Sequence, residues 1–113
     1  TGKQVRDVLH ASDIVELYKA AYKNRNNLYG EIFNIGGGIN NSLSILELLS
    51  YVSSNLNIDK LNYLNLDRRK SDQDVFVADI QKVKKILDWH PKISYKDGIK
   101  MMLEWCIQKN IES

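Results

Sequence analysis

Hydrophobic and polar positions recur with two different periods along this chain, and the switches between them mark out its elements. Val5-Arg6-Asp7-Val8-Leu9-His10-Ala11 changes polarity at most steps and is rich in β-branched residues, which predicts a short strand. Ser12 and Asp13 then offer an N-cap, with Glu16 placed to complete a capping box. The helix predicted from Ile14 to about Lys23 spreads Ile14, Val15, Leu17, Tyr18, Ala20, Ala21 and Tyr22 so widely round its axis that it needs cover on more than one side. A chain of 113 residues has little room for two such partners.

Beyond a polar loop from Asn24 to Gly30, Glu31-Ile32-Phe33-Asn34-Ile35 predicts a second strand, ended by Gly36-Gly37-Gly38. Asn40-Asn41-Ser42 continues the turn until Ser44, which forms a capping box with Glu47, while Leu43 can staple against Leu48. Leu46, Leu49, Tyr51 or Val52 and Leu56 give the helix from Ile45 to about Asn55 its apolar face. Leu61 to Leu66 and Asp74 to Ala78 read as further strands, and Asp79 caps a helix from Ile80 to about Leu87. Trp89-His90-Pro91 breaks that helix, because proline pushes the residue before it out of helical geometry. Ser94 with Asp97 caps the last helix, whose stripe is Tyr95, Ile99, Met102, Leu103, Cys106 and Ile107, with Trp105 at its edge. Cys106 is read as helix core. The order of elements describes an α/β chain.

Composition narrows the function classes. Hydrophobic residues at 43% and charged residues at 27% belong to a globular protein, and a net charge of +2 does not by itself call for nucleic acid or a membrane. No apolar run approaches the ~18 residues of a membrane helix. The single cysteine can form no internal disulfide, so a cytoplasmic setting is expected. The sequence starts at Thr1 without a leader, and truncation or processing is expected there.

Candidate chemistry concentrates in Asp67-Arg68-Arg69-Lys70-Ser71-Asp72-Gln73-Asp74, where three adjacent cations precede an acid and run into a strand. Guanidinium forks suit phosphate oxygens, and a nearby carboxylate suits a sugar hydroxyl; the competing reading is a solvated charged loop. Arg6 interrupts an otherwise apolar strand and needs an anionic partner. Asp7 projects from the opposite face, which leaves either an ion pair with a distant acid or a ligand bridging Arg6 to the Arg68 and Arg69 cluster. The triglycine does not turn straight into a helix, so a tight backbone turn is expected there instead of a dinucleotide loop. His10 and His90 lack metal-ligand spacing, no serine sits in a nucleophile elbow, and no acid and base pair is evident. No catalytic residue is assigned. A small basic module binding nucleic acid through Arg68, Arg69, Lys70, Lys82, Lys84 and Lys85 would want aromatics interleaved with the cations, and these sit in helical stripes instead.

Gly2-Lys3-Gln4-Val5-Arg6-Asp7-Val8-Leu9-His10-Ala11-Ser12-Asp13-Ile14, Phe33-Asn34-Ile35-Gly36-Gly37-Gly38, Arg69 with Asp72-Gln73, Val77-Ala78-Asp79-Ile80, Trp89-His90-Pro91-Lys92 and Gly98-Ile99 together resemble the C-terminal part of NAD-dependent nucleotide-sugar epimerases and dehydratases, the extended short-chain dehydrogenases. The likeness runs over almost the whole chain. Within that family, Lys3-Gln4-Val5-Arg6-Asp7 and Asp72-Gln73 look most like the CDP-paratose 2-epimerases, also called CDP-tyvelose epimerases.

The resemblance implies a substrate-binding portion whose residues 1–35 help to complete a Rossmann-type nucleotide-binding domain and whose residues 36–113 form the C-terminal substrate-binding domain. It implies that Arg6 and Arg69 hold a nucleotide-sugar diphosphate, that Asp72 accepts from the ribose hydroxyls, and that Gln4 and Phe76 belong to the same substrate site. Phe76 falls where related 4-epimerases often carry tyrosine, and Lys70 and Ser71 replace smaller residues between arginine and aspartate. The family reaction passes a hydride from a sugar carbon to NAD and back to the opposite face, at C2 in the paratose type. A UDP-sugar 4-epimerase or a dehydratase is the sibling reading. No Tyr-x-x-x-Lys pair and no glycine fingerprint occur here, and both are expected upstream of Thr1. The chain alone is therefore expected neither to bind NAD nor to turn over, and to expose a sheet edge and apolar surface that favour self-association.

Overall fold

The computed structural model describes residues 2–59 and 61–111, so the boundary expected at Thr1 lies outside them. Helix α1 spans Ala11–Lys23, and its N-cap is His10, whose Nδ1 accepts from Ser12 N at 3.2 Å. Asp13 was expected to be the cap. It sits instead in the first turn, 3% exposed, where its carboxylate serves a distant segment. Oδ1 accepts from Lys92 N and Oδ2 from Ile93 N, both at 3.1 Å, while the Asp13 carbonyl accepts from the Trp89 indole at 3.0 Å. Glu16, freed from the capping box, pairs with Lys19 at 2.7 Å. That hydrogen bond and the ammonium charge behind it hold the Glu16 carboxyl below its ordinary pKa.

Clipping the Trp89-His90-Pro91 break onto α1 builds the core. Leu17 of α1 meets Val83 and Leu87 of α3 (Gln81–Leu87), with Trp89 closing the cluster and Leu9, Leu28, Phe33 and Ile80 packed around it. Val83 and Leu87 stand four residues apart and so share one helix face. Asp79 Oδ1 accepts from Gln81 N at 3.0 Å, but the N-cap is Ile80, so α3 starts one residue later than the sequence predicts, and Asp88 ends it in the left-handed conformation with φ 49°.

The sheet has three strands in the order β2-β1-β3. Strand β1 (Val5–Asp7) is central, antiparallel to β2 (Ser42–Ser44) with Arg6 opposite Leu43, and parallel to β3 (Val75–Phe76) with Arg6 opposite Phe76. The predicted first strand is thus cut to three residues, beyond which only Val8 N reaches across, to Asn41 O at 2.9 Å. Residues 31–35 and 61–66, both read as strands, carry no ladder among the described residues. An alternating pattern describes a face, and a strand also needs a second backbone to pair with. Lys82 secures 31–33 in another way: its Nζ lies 2.9 Å from Ile32 O, 2.7 Å from Glu31 Oε2 and 5.2 Å from the Phe33 ring centre.

Helix α2 (Ile45–Leu56) begins with the predicted capping box, Ser44 Oγ accepting from Glu47 N at 3.2 Å and Glu47 Oε2 from Ser44 N at 2.7 Å. Helix α4 (Tyr95–Ile111) starts just after Ser94, whose Oγ accepts from Asp97 N at 3.1 Å and donates to Asp97 Oδ2 at 2.6 Å. The two helices meet edge to face through Tyr51 and Tyr95, and Tyr51 Oη donates to Lys96 O at 3.0 Å. Only Ile99 of the expected α4 stripe is buried. Met102, Cys106 and Ile107 are exposed, as is Trp105, so Cys106 is a surface residue and not a core one. From Glu104 to Asn110 every side chain is exposed. The radius of gyration is 17.0 Å, against ~13 Å for a compact chain of about this length. No described helix is long and apolar enough to cross a membrane.

Candidate functional site

Consecutive side chains of a strand point to opposite faces, and Arg6 and Asp7 divide the surroundings of β1 between them. On the Asp7 side lies the triglycine turn. Asp7 Oδ2 accepts from Gly38 N at 3.0 Å and from Ala78 N at 3.2 Å, joining the turn to the exit of β3. A Cβ at Gly37 would overlap the Val8 carbonyl oxygen, and one at Gly36 the Asp7 carboxylate. Gly38 has φ 71°, which side chains rarely tolerate. The buried Asn41 completes the arrangement, its Nδ2 donating to Gly37 O at 3.3 Å and its Oδ1 accepting from Tyr95 N at 2.8 Å.

The turn is therefore a close-packed joint, as the sequence predicts. It leads through a 3-10 turn (Ile39–Asn41) and β2 before any α-helix begins. A dinucleotide cradle needs free amides opening straight into a helix. Here the Gly38 amide is already taken by Asp7, so this turn does not fit NAD.

On the opposite face, Arg6 reaches the cation-rich turn. Its Nη2 donates to Asp72 Oδ1 at 3.1 Å and to Gln73 O at 3.0 Å, and Nη1 donates to Val5 O at 2.8 Å. Gln4, two residues earlier on the same face, donates from Nε2 to Asp72 Oδ2 at 3.0 Å. The Arg6 and Asp72 side chains are 37% and 16% exposed, so the pair lies at the rim of the molecule and not in its core. Of the two partners left open for Arg6 by its spacing, the ion pair with a distant acid is the one present.

The three adjacent cations separate in role. Arg68 is consumed in bracing the turn, with Nη2 2.7 Å from Asp72 O and 2.9 Å from Asp74 Oδ1. Arg69 gives its carbonyl to Asp72 N at 3.1 Å, while its guanidinium holds no hydrogen bond or ion pair among the described residues. Lys70 and Ser71 are exposed at the apex. Phe76 is half exposed and lines a shallow cavity of about 300 Å³ with Phe33, Ile35 and Val77. Gln4, Arg6, Asp72 and the turn carrying Arg69 thus form one group, with Phe76 across the sheet register from Arg6. A free guanidinium beside a paired one can grip an anion with several oxygens.

Sequence reasoning missed Asp7, Asp13 and Asn41 as anchors of this framework. The signal for Asp7 was its place on a strand face opposite Arg6; Asp13 and Asn41 look like ordinary cap and turn residues. His10 is a helix cap, and no group of three or more histidine, cysteine or acidic residues among the described ones can hold a metal. The larger cavity of about 550 Å³, between α2 and residues 57–63, shares no residue with the Arg6 and Asp72 group.

Comparison with known proteins places this framework. Residues 1–102 match the family profile described as GDP-mannose 4,6 dehydratase. A CDP-paratose 2-epimerase of Salmonella typhi is 53% identical over 104 residues, which cover 92% of this chain and 30% of that protein. A UDP-glucuronate 4-epimerase of Thermodesulfobacterium geofontis is 39% identical over 116 residues, covering 98% of this chain and 32% of its own. Among solved structures, the UDP-glucose 4-epimerase of Thermotoga maritima with UDP-glucose superposes with a TM-score of 0.75 at 27% identity, over 96% of this chain and 33% of that one. The chain thus spans about a third of the length of the relatives it matches. With its profile, its relatives and its fold in agreement, the chain belongs to the family of NAD-dependent nucleotide-sugar epimerases and dehydratases.

Proposed function

We propose that this chain is the nucleotide-sugar-binding part of a longer NAD-dependent epimerase of the CDP-paratose 2-epimerase type. Arg6 and Arg69 hold the diphosphate from two sides, Asp72 takes the ribose hydroxyls, Gln4 belongs to the same cluster, and Phe76 borders the sugar. The observation that carries this reading is the meeting of Gln4, Arg6 and Asp72 at the turn where the Arg69 guanidinium has no partner among the described residues. The relative with 53% identity favours a CDP-linked sugar; a UDP-sugar 4-epimerase or a dehydratase is the alternative, separated by which product forms.

Residues 1–35 then contribute to a nucleotide-binding domain and 36–113 to the substrate domain, although β1 pairs with strands from the second part. NAD and the catalytic residues come from the upstream part of the longer protein, and the cytoplasm is the setting. Neither nucleic acid nor a membrane is a partner. The test is calorimetry with CDP on the full-length enzyme. Arg69→Ala is expected to weaken binding by about 2 kcal/mol, the worth of a charged hydrogen-bond partner, with the fold unchanged. Unaltered affinity would remove Arg69 from the site.

A further inference from the structure

Gln4 presents an unusual balance of satisfied and unsatisfied atoms. Its Nε2 donates to Asp72 Oδ2 at 3.0 Å, but its Oε1 is buried and has no donor among the described residues. Rotating the amide by half a turn would set that oxygen against the Asp72 carboxylate, two acceptors face to face. Asp72 therefore dictates the orientation of the amide, and the orphaned oxygen is the cost borne for it. Closed off from solvent, Oε1 is also closed off from a ligand in this arrangement.

We propose that Gln4 is a positioning residue for nucleotide binding, acting on the ligand through Asp72 and not by touching it. The inference rests on the nucleotide-sugar reading above and changes the role of Gln4 within it. Each oxygen of the Asp72 carboxylate has a single side-chain donor, Arg6 on Oδ1 and Gln4 on Oδ2, and both donors rise from one face of β1. With both oxygens tethered, the carboxylate plane is fixed. A neutral amide secures Oδ2 without adding a second cation to the carboxylate, which among the described residues is ion-paired to Arg6.

The base beneath the tether is rigid. Gln4 O accepts from Ile45 N at 3.2 Å, at the start of α2, and Val5 N donates to Asp74 O at 2.9 Å. Asp72 in turn is tied to the cation-bearing turn, its N to Arg69 O and its O to the Arg68 guanidinium. A shift of the Asp72 side chain is therefore transmitted to the turn that carries Arg69. Gln4 sets the register between the strand and that turn.

A double-mutant cycle in the full-length enzyme tests this, with CDP and UDP as probes in calorimetry and steady-state kinetics alongside. Gln4→Leu should weaken nucleoside-diphosphate binding by about tenfold and raise KM with kcat held within about twofold, the pattern of lost binding without lost chemistry. Gln4→Glu, which keeps the size but opposes two carboxylates, should weaken it further. In an Asp72→Asn background, Gln4→Leu should add almost nothing, because the group it positions has already been changed. Additive losses in the double variant would show that Gln4 acts on the ligand by itself, and unchanged affinity in Gln4→Leu would show that it does not act at all; either result overturns the proposal. Thermal midpoints of the variants separate these outcomes from failure to fold, with Gln4→Glu as the second measure should Gln4→Leu unfold. A wild-type enzyme that binds neither probe overturns the nucleotide-sugar reading itself, and this proposal with it.

Discussion

Asp13 and Tyr18 lie on the same helix and live in opposite surroundings. Asp13 is 3% exposed and receives two backbone amides from beyond Pro91, whereas Tyr18 is 71% exposed and its neighbour one turn on, Tyr22, is 69% exposed. The inner face of α1 is fastened by directional bonds before any apolar packing is counted; the outer face is largely exposed apolar surface, with the Arg25 guanidinium 4.6 Å from the Tyr22 ring centre. The contrast shows that the excess of hydrophobic positions on α1 is not surplus core. Only one side of the helix is used by this stretch of chain, in keeping with its covering about a third of its relatives' length.

The strongest way to break the contrast is at the inner face. Asp13→Ala leaves the Lys92 and Ile93 amides without their acceptor, while the Trp89 bond to the backbone carbonyl is kept, and should cost about 3 kcal/mol, read as an earlier midpoint in urea unfolding. A loss below about 1 kcal/mol would mean that packing of Leu17, Val83 and Leu87 holds the joint without the clip.

The outer face is sharpened by the reverse result. Replacing Tyr18 and Tyr22 together with serine should leave unfolding within about 0.5 kcal/mol of wild type, since neither side chain is buried. The same change should reduce self-association of the 113-residue chain, measured by light scattering at high concentration. A wild-type chain that stays monomeric throughout would show that this face does not drive association.

The smallest effect belongs to α2, whose cap is exposed. The Ser44 backbone amide, and then its hydroxyl, hold the Glu47 carboxyl below its ordinary pKa. A depressed carboxylate contributes stability that is present above the unfolded value and lost as pH falls through the folded one. Glu47→Gln should therefore slightly lower stability near neutrality and flatten the acid side of the profile, the two proteins converging at low pH, by thermal melts across that range.

Legibility in the sequence followed the range of the interaction. The capping box of Ser44 with Glu47 and the cap pair of Ser94 with Asp97 close over three residues and were readable. The triglycine was readable as a tight turn, since only glycine suits a positive φ and the approach of Val8 O. Asp13 was misread because the cap pattern around it is genuine, while the amides that claim it lie 79 and 80 positions away. Residues 31–35 and 61–66 have the alternation of strands, but pairing depends on a partner that local pattern cannot supply. Cys106 and Met102 fell on a helical stripe that α4 carries beyond any covering element. In the candidate site, Arg6, Arg69, Asp72, Gln4 and Phe76 were all named from the sequence through the family resemblance. That Asp72 is tethered by Gln4 as well as by Arg6 needed coordinates.

The centre of the sheet is a strand of three residues, and its attachment to Asp72 spans 68 positions. Synthesis at ~5–20 residues per second delivers that partner about 3–14 seconds after Gln4 leaves the ribosome. Once β2 has been made, and until β3 follows, β1 has a partner on one edge and none among the described residues on the other. The edge of β1 beside the candidate site thus stays an open hydrogen-bonding border until its last strand arrives, and only then does Arg6 meet its acid.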